Sequence, residues 1–451
     1  MRIRKTKRYS RLKINFHNME IMNKEKLREH LLKCCPILFF SALTGVFSGI
    51  VVVLYSFVAE LLSHSSKDLY QKVAENPAFI PLLFLALVIL AFLSYVIIKF
   101  LPEAKGNGIA ANEAHDRALH PISWWRTIVG TILGSYVSFF GGLSFGVEGP
   151  STAIGTSIGA LLSKLYKGKK VSEKDREELK TSVTVSGFSA SITSAFNAPI
   201  TGLVFTIEEL EQKFSPYVIL AACGSVVTSL FTSTALRSLL GMQERLLNVA
   251  INALPFAHSW TLLILGVICG LMAVVFSKSL VLIKEIKFVK KLHPLVKLII
   301  AYLLTGTVGI FLISALGSGT SILQDVVSSN LSWWMLLVLL LVKIILTLLA
   351  MGSDSIGGIL LPTLSIGALI GALMGKLFIQ LGVPEEYFLT FVIVGSAAFL
   401  GATFRTPITA IVLVIEITGS LSGGFAIGIE VLIAFLLAEL FNQRPKTKDL
   451  F

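Results

Sequence analysis

Apolar runs long enough to cross a bilayer recur along almost the whole chain, at about residues 35–62, 79–101, 217–239, 258–283, 294–316 and 332–351. About 20 apolar residues span a membrane as a helix. A backbone in hydrocarbon must also satisfy its own polar groups. The runs therefore predict an all-α polytopic membrane protein. Composition agrees, with 54% hydrophobic and 15% charged residues, which excludes an ordinary soluble domain. A net charge of +12 would otherwise raise nucleic acid as a partner. The Lys and Arg residues instead gather in residues 1–34, in 164–180 and at Lys284, Lys287, Lys290 and Lys291, and 240–256 is poor in them. The positive-inside rule reads this as topology, with both termini and the basic loops cytosolic, and no nucleic-acid partner is expected. Residues 1–34 are too long and mixed for a secretory n-region, and no small-residue cleavage site follows the first span. They are expected to stay as a cytosolic segment ahead of a transmembrane domain at 35–451.

Several breaks interrupt this apolar pattern. Gly106-Asn-Gly108 is a turn signal where no ordinary loop belongs. Gly142-Leu-Ser-Phe-Gly-Val-Glu-Gly-Pro150 is a glycine-rich turn with one carboxylate, and Pro150 suits the first turn of a helix. Asn197-Ala-Pro199 divides residues 181–214 into two short helices, and Gly357-Gly-Ile-Leu-Leu-Pro362 is a further break. The second half also repeats the first. Ser123-Trp-Trp recurs as Ser332-Trp-Trp, and Pro150-Ser-Thr-Ala-Ile-Gly as Pro362-Thr-Leu-Ser-Ile-Gly. Phe196-Asn-Ala-Pro-Ile-Thr201 recurs as Phe404-Arg-Thr-Pro-Ile-Thr409, which sets Glu208 opposite Glu416. Two repeats are expected, at about 35–239 and 256–443.

Matched interrupted segments in two halves are the sequence pointer to a transporter site at their interface. Broken helices are tolerated in a bilayer where they are buried or line a cavity. A helix N-terminus carries roughly half a positive charge. Three of them converging are expected to hold a desolvated anion without any buried Lys or Arg, whose full charge would hold it too tightly. Glu148 supplies an anion of its own at that point, so a transported anion and this carboxylate compete for one place.

These motifs resemble those of the CLC chloride channels and chloride/proton antiporters. Gly106-Asn-Gly-Ile-Ala110 is similar to Gly-Ser-Gly-Ile-Pro, Gly146-Val-Glu-Gly-Pro150 to Gly-Arg-Glu-Gly-Pro, and Gly357-Gly-Ile-Leu-Leu-Pro362 to Gly-x-Phe-x-Pro. The resemblance covers about residues 35–448. It implies two inverted-topology repeats with broken and re-entrant helices, a homodimer in the cytoplasmic (inner) membrane of a bacterium, and exchange of chloride for protons. It implies gating and proton transfer by Glu148 and proton transfer by Glu209, and an anion site at Asn107, Gly108, Gly146, Gly149, Ile359, Leu360 and Thr447. No cofactor, metal or regulatory C-terminal domain pair is implied.

Asn107, Leu360, Val147 and Thr447 stand where the family usually has serine, phenylalanine, arginine and tyrosine. A fluoride-exporting branch also departs at the serine and the tyrosine. Pro150 and Glu209, which that branch usually lacks, are present, so chloride leads over fluoride, with a passive chloride channel as the other alternative. Each residue also has a plainer reading. Glu208-Glu209 caps a helix, Asn107 is a turn residue, and Asp354 and Arg405 serve pairing or folding. An intramembrane carboxylate costs about 2.5–3.5 kcal/mol on insertion scales, which favours a functional role for Glu148. Gly142-Leu-Ser-Phe-Gly146 fits the hydrolase elbow pattern, but no strand–turn–helix context or Asp and His partners accompany it. An enzyme is not expected.

Overall fold

The computed structural model describes residues 24–105, 123–166, 172–210, 215–243, 245–247, 249, 251–328 and 331–441. Among them are sixteen α-helices and no β-strand. Among the described residues, nine helices are long and apolar enough to cross a membrane. The first half holds α1 (Lys24–Glu75), α2 (Ile80–Phe100), α3 (Trp124–Phe140), α4 (Glu148–Leu165), α5 (Glu173–Phe196), α6 (Pro199–Leu210) and α7 (Pro216–Leu240). The second holds α8 (Trp260–Glu285), α9 (Lys287–Lys291), α10 (Pro294–Phe311), α11 (Thr320–Ser328), α12 (Trp333–Gly352), α13 (Leu360–Gln380), α14 (Phe388–Phe404), α15 (Pro407–Thr418) and α16 (Gly424–Phe441).

The run α3–α7 is matched by α12–α16 in order, and the paired helices α6 and α15 are each 12 residues long. Small residues let the central pairs touch backbone to backbone. A Cβ added to Gly159 of α4 would lie 2.5 Å from the Val183 carbonyl oxygen of α5. In the second half a Cβ on Gly367 of α13 would lie 2.6 Å from the Gly395 carbonyl oxygen of α14. Such close approach is how helices associate where no hydrophobic force separates lipid from protein.

The halves also cap one another. Glu416, on α15, accepts from Ile200 N (2.9 Å), Thr201 N (2.8 Å) and Thr201 Oγ1 (2.6 Å) at the start of α6. Glu208, on α6, accepts from Ile408 N (2.8 Å), Thr409 N (2.7 Å) and Thr409 Oγ1 (2.6 Å) at the start of α15. Each carboxylate satisfies helix N-terminal donors that proline-led helices leave open, so Glu208 is a helix cap.

Some boundaries differ from the sequence reading. Residues 164–180 are not one basic loop, because α4 continues to Leu165 and α5 begins at Glu173, well before residue 181. Ser172 starts α5 by accepting from Asp175 N at 3.2 Å, a helix-start signal that the lysines obscure. The lysine stretch after residue 284 holds the short helix α9. Asn197 (φ 53°) and Arg405 (φ 60°) take the left-handed conformation at the matched breaks. Asn tolerates it readily and Arg does not; Arg405 is held by Glu439 at 2.9 Å. Asp354 pairs with Lys105 (3.3 Å) and Lys297 (4.0 Å). Pairing is therefore what the structure gives for both Asp354 and Arg405.

Candidate functional site

The site is built where α4 and α13 begin. After α3 the chain reverses through Gly142, whose φ of +78° favours glycine. The turn is fixed from several sides. Tyr70 Oη donates to Gly141 O (3.2 Å), Gly317 N donates to Gly142 O (3.0 Å), and Ser144 Oγ meets Thr347 Oγ1 (2.8 Å). Gly146 and Gly358, at equivalent places in the two halves, then form one antiparallel bridge. Gly146 N donates to Gly358 O at 2.8 Å and Gly358 N to Gly146 O at 2.9 Å.

Glu148, the first residue of α4, is fully buried under this bridge. Its Oε1 accepts from Leu361 N, in the first turn of α13, at 3.0 Å. Its Oε2 has no hydrogen-bond partner among the described residues. A Cβ at Gly358 would come within 2.7 Å of the Glu148 carboxyl carbon and 2.6 Å of Gly149 N. Only glycine leaves room there. The N-termini of α4 and α13 thus face each other across one carboxylate, and both favour negative charge.

Gly146, Glu148, Gly149, Ile359 and Leu360 are therefore brought together. Ile359 is the N-cap of α13 and Leu360 its first residue. The N–H that reaches the carboxylate belongs to Leu361, one residue further on and not named by the motif reading. Asn107, Gly108 and Thr447 lie outside the described residues. Glu209 is buried in the last turn of α6, beside the capping Glu208.

Two basic side chains are buried elsewhere in the helices, each held by backbone carbonyls rather than by Glu148. Lys343 of α12 is fully buried, and Arg237 of α7 is 8% exposed. Lys343 Nζ donates to Ala315 O (3.1 Å) and Gly317 O (2.6 Å). Gly317 is the residue whose N–H holds Gly142, so the ammonium braces the Glu148 turn through one intermediate peptide. A lone Lys in Leu-Leu-Val-Lys-Ile-Ile is visible in sequence as an intramembrane charge. So is Glu430, fully buried in α16 beside Gly266 of α8, within Ile-Gly-Ile-Glu-Val-Leu-Ile.

The chain matches the family model for the voltage gated chloride channel over residues 89–439. It is 30% identical over 430 residues to the H(+)/Cl(-) exchange transporter ClcA of Vibrio campbellii, covering 91% of this chain and 87% of that one. It is 29% identical to the ClcA of Vibrio cholerae, with the same coverage. The structure resembles that of a slow cyanobacterial Cl-/H+ antiporter, with a TM-score of 0.82, 24% identity, and 92% of this chain and 97% of that one covered. It also resembles a CLC-type fluoride/proton antiporter, with a TM-score of 0.70, 20% identity, and coverage of 91% and 96%. These two likenesses establish the fold.

Proposed function

Because this chain belongs to the voltage-gated chloride channel family, we propose that it exchanges chloride for protons across the membrane that its helices span. The observation that carries this reading is the Glu148 carboxylate seated on the Leu361 N–H between two helix N-termini. A chloride ion arriving there takes the same donor and meets the same helix-end potential. Two anions in one desolvated pocket repel, so chloride displaces the carboxylate toward water, where it takes a proton. The protonated acid still offers its carbonyl oxygen to the Leu361 N–H, and its return carries the proton inward. Glu209 passes that proton to or from the cytosol by a separate route. Anion and proton movement are coupled because one side chain serves both. The likeness to exchange transporters supports chloride as the anion.

The same reading sets the protein in the inner membrane of a bacterium, with both termini cytosolic and residues 35–451 forming one transmembrane unit. The Lys33–Asp175 ion pair (2.8 Å) supports that topology by joining the starts of α1 and α5 near the basic stretches. A homodimer is part of the proposal. It is supported by Ile200 and Ile408, 57% and 56% exposed at matched positions beside the reciprocal caps.

The test is flux from proteoliposomes under an imposed chloride gradient. Exchange predicts protons driven uphill and a reversal potential that moves with pH. A reversal potential at the chloride value and unmoved by pH would identify a passive channel.

A further inference from the structure

Helix α12 holds the Glu148 turn at two points. Thr347 Oγ1 lies 2.8 Å from Ser144 Oγ. It donates its own proton to Lys343 O at 2.7 Å, so the Ser144 hydroxyl is the donor between them. Lys343, one helical turn earlier, reaches the other end of the same turn through the 315–319 loop. Its Nζ donates to Ala315 O (3.1 Å) and Gly317 O (2.6 Å), and Gly317 N donates to Gly142 O (3.0 Å). Lys343, Thr347 and Ser144 are all fully buried. Residues four apart share one helix face. A single stripe of α12 therefore holds both Gly142 and Ser144, just ahead of Glu148.

The loop also touches the opposite wall of the site. Gly319 (φ +90°) packs so closely on Ser365 of α13 that a Cβ there would collide with the serine and crowd Lys343 Cε at 3.1 Å. Ser365 is one turn beyond Leu361, whose N–H holds the Glu148 carboxylate. The ammonium thus anchors a loop wedged between the Glu148 turn and the first turns of α13. Filling this space does not require a charge, and a charge inside a membrane is costly. Methionine would occupy a similar volume. What lysine adds is a pair of charge-assisted hydrogen bonds, which are stronger and more directional than packing.

We propose that Lys343 and Thr347 are positioning residues for Glu148. They fix the turn against α12, so that the returning side chain lands on the Leu361 N–H with its proton. This role rests on the exchange reading. Chloride needs only the helix ends, whereas the carboxyl group is carried by the turn itself. Loosening the turn therefore costs proton movement more than chloride movement. A role in stability alone lowers both together.

The test compares both fluxes per amount of folded protein in proteoliposomes. Lys343→Met removes the ammonium, Thr347→Val removes the hydroxyl, and Thr347→Ser keeps it. Protons moved per chloride should fall about tenfold in Lys343→Met, the factor carried by one hydrogen bond to a charged group. The ratio should fall less in Thr347→Val and keep its unaltered value in Thr347→Ser. If Lys343→Met does not fold, the two Thr347 variants decide. Hydrogen exchange supplies a second readout: the amides of residues 141–147 should exchange faster in Lys343→Met and Thr347→Val, and those of Ile408 and Thr409 should not. An unchanged flux ratio, or equal loss of both fluxes, overturns the positioning role. Unchanged exchange at residues 141–147 overturns the hold on the turn. An unaltered protein that moves no protons would sink the exchange reading, and hydrogen exchange would still decide whether α12 fixes the turn.

Discussion

Two carboxylate arrangements at the repeat interface differ in one respect. Glu208 and Glu416 are kept in both halves, and each caps the helix that carries the other. Glu148 has no counterpart, because the equivalent position in the second half is Leu360, beside the matched glycines Gly146 and Gly358. Duplication gives both halves the same interrupted helix and the same open N-terminus. Where both copies keep the acid, the contacts are reciprocal and the purpose is architecture. Where one keeps it, the scaffold holds a single buried negative charge between two positive helix ends. By the same criterion Glu209, whose repeat mate is Ile417, falls with Glu148 rather than with its neighbour Glu208.

The largest expected effect belongs to the unmatched acid. Glu148→Gln should end uphill proton movement while chloride flux continues, read as pH change and chloride release from the same vesicles. Protons still driven uphill would remove Glu148 from the mechanism. Glu209→Gln should cut proton transport manyfold and spare chloride flux. Equal loss of both would return Glu209 to a capping role like that of Glu208.

The matched pair should behave oppositely. Glu208→Ala and Glu416→Ala should each cost about 1–2 kcal/mol, the usual range for loss of a helix cap, and by equal amounts. Thermal unfolding in detergent reads this, and the proton-to-chloride ratio of the folded protein should not change. A pair of unequal effects would break the symmetry argument. Smallest of all, Thr201→Val and Thr409→Val each remove one of three donors and should cost about 1 kcal/mol, again alike.

Much of this plan was legible in sequence, for identifiable reasons. Glycine and proline punctuate apolar helices strongly, so the Glu148 turn, its mate at Gly357–Pro362 and the Asn197 break stood out. Repetition then fixed which acids faced which. Helix phase was not legible: only the wound first turn of α13 brings the Leu361 N–H, which the motif does not single out, to the Glu148 carboxylate. Lys343 was readable as an intramembrane charge, but its work was not. Its partners are carbonyls of a loop 26 and 28 positions away, and loop and lysine meet only in the folded chain. The cavity lined by Arg237, Lys67 and Gly146 is harder still, since its walls come from six separate stretches of the chain with no shared motif.

The central claim is that a halide and the Glu148 carboxylate occupy one place in turn. Replacing Glu148 by Ala vacates that place while leaving the Gly146–Gly358 bridge and the first turn of α13 intact. Anomalous scattering from crystals of that variant in bromide measures the claim directly. A bromide ion is expected within hydrogen-bonding reach of the Leu361 N–H, where the carboxylate oxygen lay. A vacated pocket filled by water alone, with bromide bound elsewhere, would contradict it.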